Sequence, residues 1–156
     1  MKRATLMFVL LLIPGICAAG LFPDDAPDVE KADRAEVDKY IINQSFNAYF
    51  YLLSFKDDPD FAEQRFRLDG KYYEWMKTLN KLIPYADLAA IKYEPSKKAP
   101  DNKIYRIPRI LGELQKEYSV SGGAETRQSL IIKDILGESF GKTKYRNPPG
   151  SIVLPF

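Results

Sequence analysis

The chain has no histidine and only one cysteine in 156 residues, and these two shortages exclude much chemistry. Without imidazole there is no serine–histidine triad, no histidine-ligated metal and no histidine-held haem iron. Cys17 lies in a leader that is expected to be removed, which would leave no thiol for nucleophilic catalysis or disulfide exchange. Glycines are scattered, and Ser121-Gly122-Gly123 alone does not make a phosphate cradle. No apolar run approaches the roughly 20 residues of a membrane-spanning helix. A charge surplus is missing as well. The formal +2 is carried by Lys2 and Arg3, so the chain beyond them is neutral. No nucleic-acid motif is present, and an exported protein would not meet that partner.

The opening residues read as an export signal in three parts. Lys2 and Arg3 give a positive start, residues 4–13 are apolar, and Pro14-Gly15 break the run. Cys17, Ala18, Ala19 and Gly20 then supply the small side chains of a cleavage site. We place the cut after Ala19, with Gly20 as second choice. The bulky Ile16 before Cys17 fits lipid attachment badly. A small exported domain without disulfides must stand on its core alone, which suits a bacterial envelope better than the animal extracellular space.

What the chain does have is apolar periodicity and rings. Its hydrophobic fraction of 46% is ordinary for a folded domain, and ten Tyr, nine Phe and one Trp demand burial or an interface. Residues 20–27 read as a flexible acidic leader. From residue 28 to 156 we expect a single helical domain. Val37, Ile41, Ser45, Ala48, Leu52 and Phe55 recur at helical steps from a start near Asp28. In Asp57-Asp58-Pro59-Asp60, Asp58 is the expected cap and Pro59 the first position of a second helix reaching Ile83. That motif lacks the oxygen spacing and glycine of a calcium loop. Phe61, Leu68, Tyr72, Trp75, Leu79 and Leu82 would share its inner face, with Gly70 inside it. Pro84 is expected to end it, followed by a short helix over residues 85–93 that packs through Leu88, Ala89 and Ile91. Residues 94–107 read as a loop. Pro108 opens a helix carrying Ile110, Leu111, Leu114 and Tyr118. After the glycine turn, Leu130, Ile131, Ile135, Leu136 and Phe140 mark one side of a last helix stopped by Gly141. Residues 142–156 hold three prolines and an apolar end, and are expected to dock as an extended tail. The fold class is therefore mainly α, a compact bundle of four to five helices with an extended C-terminal tail.

Charge is unevenly distributed. From residue 20 to 63 eleven acidic side chains accompany four basic ones, and beyond residue 63 ten accompany seventeen. We expect the two halves to face each other within the fold. Carboxylate chemistry survives the exclusions, with Glu63, Asp69 and Glu74 on the second helix, but Arg65, Arg67 and Lys71 at three- and four-residue spacing read as their surface partners. Ser129 and Lys133 are four apart, and a serine–lysine pair there lacks any flanking motif. Asn43-Gln44-Ser45 matches a glycosylation acceptor but falls inside a helix.

We therefore assign no catalytic, cofactor-binding or metal-binding residue. The candidate partner-binding residues are Tyr72, Tyr73 and Trp75, with Arg106 and Arg109 of the basic-apolar stretch 103–109. The expected protein is exported, periplasmic or secreted, and binds another protein without catalysis. An inhibitor or immunity protein, or an accessory subunit of an envelope assembly, fits that description. The alternatives are a carboxylate-dependent cell-wall glycan hydrolase and a small-ligand carrier.

Overall fold

The computed structural model describes residues 25–95 and 103–141, so the expected export signal, the middle of the 94–107 loop and the expected C-terminal tail lie outside the described residues. Within them the chain is a bundle of α-helices without strands: α1 Arg34–Phe55, α2 Phe61–Gln64, α3 Gly70–Tyr93, α4 Ile107–Ser121 and α5 Arg127–Gly141. A 3₁₀ turn, Lys103–Arg106, leads into α4.

The first helix starts later than its acidic approach suggests. Residues 28–32 form a separate turn in which Lys31 and Ala32 donate their backbone N–H to the Asp28 carbonyl. Asp33, with extended backbone, then caps α1 by accepting from the Glu36 amide at 2.9 Å. Over its 22 residues α1 buries Val37, Ile41, Ala48, Leu52 and Phe55 completely. It packs against α3, α4 and the 3₁₀ turn and so forms the centre of the bundle.

Two expected breaks move. The helix expected from Pro59 to Ile83 is two helices. Asp60, not Asp58, precedes α2, and Pro59 stays in the turn. Gly70 adopts φ 82°, a left-handed value that other residues rarely tolerate, with Asp69 extended before it, so the chain restarts there. Leu68 consequently leaves the core and is 86% exposed. Conversely, Pro84 does not end a helix: α3 runs through it. Proline removes the amide that would bond to Asn80 and costs about 3 kcal/mol in a helix interior. Pro84 and Asn80 both face solvent, so water can serve the freed carbonyl. Leu79 and Leu82 before the proline, and Ala86 and Ala89 after it, bury on the same side, and that burial holds the helix in phase.

Trp75 lies at the heart of the core. It is fully buried, and its indole N–H donates to the Ala48 carbonyl at 2.7 Å, tying α3 to the middle of α1. The rings of Phe55, Phe61 and Tyr72 pack in sequence beside it, with centroids 5.5 and 6.0 Å apart. The Tyr72 hydroxyl accepts from the Gln115 side chain of α4.

Pro108 occupies the first turn of α4, and Gly122 closes the helix with φ 66°. Gly123 follows at φ 86°, against the end of α1: a Cβ there would fall 1.6 Å from the Lys56 carbonyl oxygen. α5 opens with a reciprocal cap. Thr126 Oγ1 accepts from the Ser129 amide at 2.9 Å, and the Thr126 amide donates to Ser129 Oγ at 2.8 Å.

Candidate functional site

The outward side of α3 gathers the exposed apolar and aromatic groups that sequence reading partly foresaw. A helix brings residues three and four apart onto one face. Once Trp75, Leu79, Leu82, Ala86 and Ala89 are inside, the opposite side carries Tyr73, Lys77, Lys81, Pro84, Leu88 and Ile91, all solvent-facing. Tyr73 is 37% exposed, Leu88 44% and Ile91 67%. The strip runs about 27 Å at 1.5 Å per residue. Lys77 Nζ lies 5.6 Å from the Tyr73 ring centroid and donates to Glu74 at 3.3 Å, which keeps the ring and the ammonium together at one end.

Arg109 borders the strip. Its guanidinium meets Asp87 through two bonds, Nη2 to Oδ2 at 2.5 Å and Nε to Oδ1 at 3.3 Å, fastening the first turn of α4 beside Leu88. Paired donation holds the planar group in one orientation. Arg106 is exposed at the end of the 3₁₀ turn. Ile104 and Tyr105 of the same stretch are buried, and Tyr105 donates its hydroxyl to Asp38 at 2.8 Å. Burial, then the bond to Asp38, pushes the Tyr105 hydroxyl far up from its ordinary pKa. The alternating residues thus form an anchoring turn with Arg106 outside.

Of the five candidate residues, Tyr73, Arg106 and Arg109 face solvent, whereas Tyr72 and Trp75 belong to the core. Sequence reading missed the outward placement of Leu88 and Ile91. The available signal was the 75-79-82-86-89 spacing, which continues through Pro84 without a change of phase.

The other motifs resolve into structure. Glu125 stands between Ser129 and Lys133. Its Oε2 accepts from Ser129 Oγ at 3.0 Å, and its Oε1 from Lys133 Nζ at 3.1 Å and the Tyr118 hydroxyl at 3.0 Å. Burial pushes the Glu125 carboxyl up, but the bonds from Lys133, Tyr118 and Ser129 outweigh it and hold the group below its usual range. Ser129 and Lys133 therefore serve a cap and an ion pair. Asp69 accepts from Arg67 at 3.2 Å and Glu74 from Lys77, both at the surface. In the acceptor-like triplet, Asn43 Oδ1, Gln44 Oε1 and Ser45 Oγ are buried in α1 without a hydrogen-bond partner.

Ion pairs between the two charge halves run in both directions. Early bases meet later carboxylates in Arg34 with Glu94 at 3.3 Å and Lys56 with Glu125 at 3.8 Å. Later basic groups meet earlier carboxylates near α2, where Arg67 pairs with Asp60 and Lys71 with Asp58.

Among the described residues no group of three or more acidic side chains is placed to hold a metal ion, and no helix is long and apolar enough to cross a membrane. No protein-family model, curated protein or solved structure matches the chain.

Proposed function

We propose that this is an exported, non-catalytic interaction protein of the bacterial cell envelope, which binds a partner protein through the outward strip of α3. An inhibitor or immunity protein, or an accessory subunit of an envelope assembly, is the kind of role meant. The observation that carries the reading is the row of Tyr73, Lys77, Leu88 and Ile91, bordered by Arg109, on the solvent side of a helix whose other side is fully used by the core. Tyrosine and arginine are enriched among the anchors of protein interfaces, and the covered core of such patches is apolar. The export-like leader and the neutral remainder support the location.

The test is a photo-crosslinking side chain placed at Leu88 in cells of the host, with one at Val120 on α4 as control. The Leu88 probe is expected to give one discrete adduct in the envelope fraction, absent from the Val120 sample and lost on Tyr73→Ala/Ile91→Gln substitution. Intact mass of the recovered protein is expected to begin at Gly20. Identical adducts from both probes, or a full-length cytosolic chain, would refute the proposal.

A further inference from the structure

α5 leaves a second apolar strip uncovered. Leu130, Ile131 and Ile135 are 49%, 44% and 42% exposed, although Ser129, Ile132 and Leu136 beside them are buried. The buried set faces α4, on which α5 packs, so the strip looks away from the bundle. At 100° per residue Arg127 and Asp134 point outward between Leu130 and Ile131. Both are exposed, and among the described residues neither has an ion-pair partner. The neighbouring bases are already engaged, Lys133 and Lys56 with Glu125. One helix face thus presents a cation and an anion with two aliphatic groups between them.

These four positions match themselves in reverse. Arg127 and Asp134 are seven residues apart, two turns or about 10.5 Å along the axis, and Leu130 and Ile131 stand at their midpoint. Laid antiparallel on itself about that midpoint, the helix sets Leu130 of each copy on Ile131 of the other. The same placement sets Arg127 of each copy opposite Asp134 of the other. A single two-fold axis therefore satisfies the aliphatic contact and both ion pairs, as an isologous interface requires. Ile135 flanks the contact, where the aliphatic stem of the opposing Arg127 covers it. A parallel copy would set each charge against its like, and a partner of one charge sign would repel one of the two.

We propose that a second copy of this chain covers the strip, α5 packing antiparallel on α5 about Leu130 and Ile131 and closed by two Arg127–Asp134 pairs. One helix face, about 22 Å long, covers less than the roughly 800 Å² per partner of a standard stable interface, so the dimer is weak and reversible, half formed at about 100 µM. The proposal rests on α5 alone and stands apart from the α3 reading.

Sedimentation equilibrium of the purified protein from about 5 to 500 µM tests it, with circular dichroism confirming that each variant folds. Arg127→Asp and Asp134→Arg each bring like charges together twice, and each is expected to weaken dimerisation about tenfold. An equimolar mixture of the two variants joins an acidic strip to a basic one, and is expected to return to within about threefold of wild-type association. Arg127→Asp/Asp134→Arg in one chain exchanges the charges, keeps both pairs, and is expected to do the same. A wild-type protein that stays monomeric throughout that range would overturn the proposal and assign the strip to a different protein. A dimer indifferent to the single reversals, or one that the mixture or the double exchange fails to restore, would put the contact elsewhere and overturn it as well.

Discussion

α4 and α5 are each 15 residues long and pack on one another, yet they use their aliphatic side chains differently. α4 turns Ile107, Ile110, Leu111, Leu114 and Tyr118 inward and leaves one large apolar group, Val120, outside. α5 divides its set: Ile132, Leu136 and Phe140 go in, and Leu130, Ile131 and Ile135 stay out. The number of neighbours explains the difference. α4 touches α1, α2, α3 and α5, so a broad arc of its surface must be apolar. α5 leans on α4 and has one narrow contact face, part of which is made by Ser129 and Ser139. Ser139 bonds to the Ile135 carbonyl at 2.8 Å and Ser129 completes the cap, so neither brings an unpaired hydroxyl into the core.

The comparison is broken most sharply at the turn that joins the two helices. Gly123→Ala would place a methyl group inside the Lys56 carbonyl and impose strain at φ 86°. Relief requires the turn to move away from α1, which also pulls Lys56 from its bond to the Gly123 carbonyl at 3.1 Å. A loss of about 3 kcal/mol or more is expected in urea unfolding, whereas Gly122→Ala, with open space around it, should cost about 1 kcal/mol from φ alone. Similar losses for the two would mean that the approach to Lys56 is not a constraint.

Core truncation comes next. Leu114→Ala and Leu136→Ala both remove a fully buried side chain, and each is expected to cost about 2–5 kcal/mol. The α4 change should be the larger, because its cavity is walled by more elements and collapses less. Calorimetric or denaturant midpoints would rank them, and the reverse order would remove α5 from its peripheral place.

These two helices also show what was legible in the sequence. In α4 the expected Ile110, Leu111, Leu114 and Tyr118 are all buried, so its apolar face was readable, although Ile107, Gln115 and Ser119 join it unannounced by the pattern. In α5 the aliphatic pattern marked the wrong side for Leu130, Ile131 and Ile135, because two serines hold inward positions that a hydrophobicity pattern does not flag. The same limit appears in α3. A proline was read as an end, yet inward burial on both sides of Pro84 outweighs one missing bond, and this set Leu88 and Ile91 facing out. Tyr73 and Arg109 were legible as surface candidates from residue type. Tyr72 and Trp75 share that type, but their spacing with Phe61, Leu79 and Leu82 already marked them for the inner face, where the structure buries them.

The charged link between the helices gives a smaller, pH-dependent effect. Glu125 has a lowered folded-state pKa, so its contribution is present above the unfolded value, near 4.3, and is lost as pH falls through the lower folded value. Glu125→Gln is expected to cost about 1 kcal/mol at pH 7, given partial exposure of the network and its ordinary ion-pair strength. The wild-type and variant stability curves should converge on acidification below about pH 4. A gap that persists unchanged to pH 2 would assign the cost to packing rather than to charge.

The outward aliphatics themselves give the smallest effect. Val120→Gln on α4 replaces a side chain that is 87% exposed and should change stability by no more than about 0.3 kcal/mol. Ile135→Gln on α5 removes a group that is 42% exposed, hence already more than half covered. At roughly 25 cal/mol per Å² the partial contact predicts a loss of about 0.5–1 kcal/mol, between Val120 and the buried Leu136. Thermal unfolding of the three single variants should preserve that order. If Ile135→Gln matched Leu136→Ala, α5 would be buried on both sides and the two-faced reading of this helix would fail. If it matched Val120→Gln, the partial cover of its outward strip would contribute nothing to stability, and α5 would be held by its inner face alone.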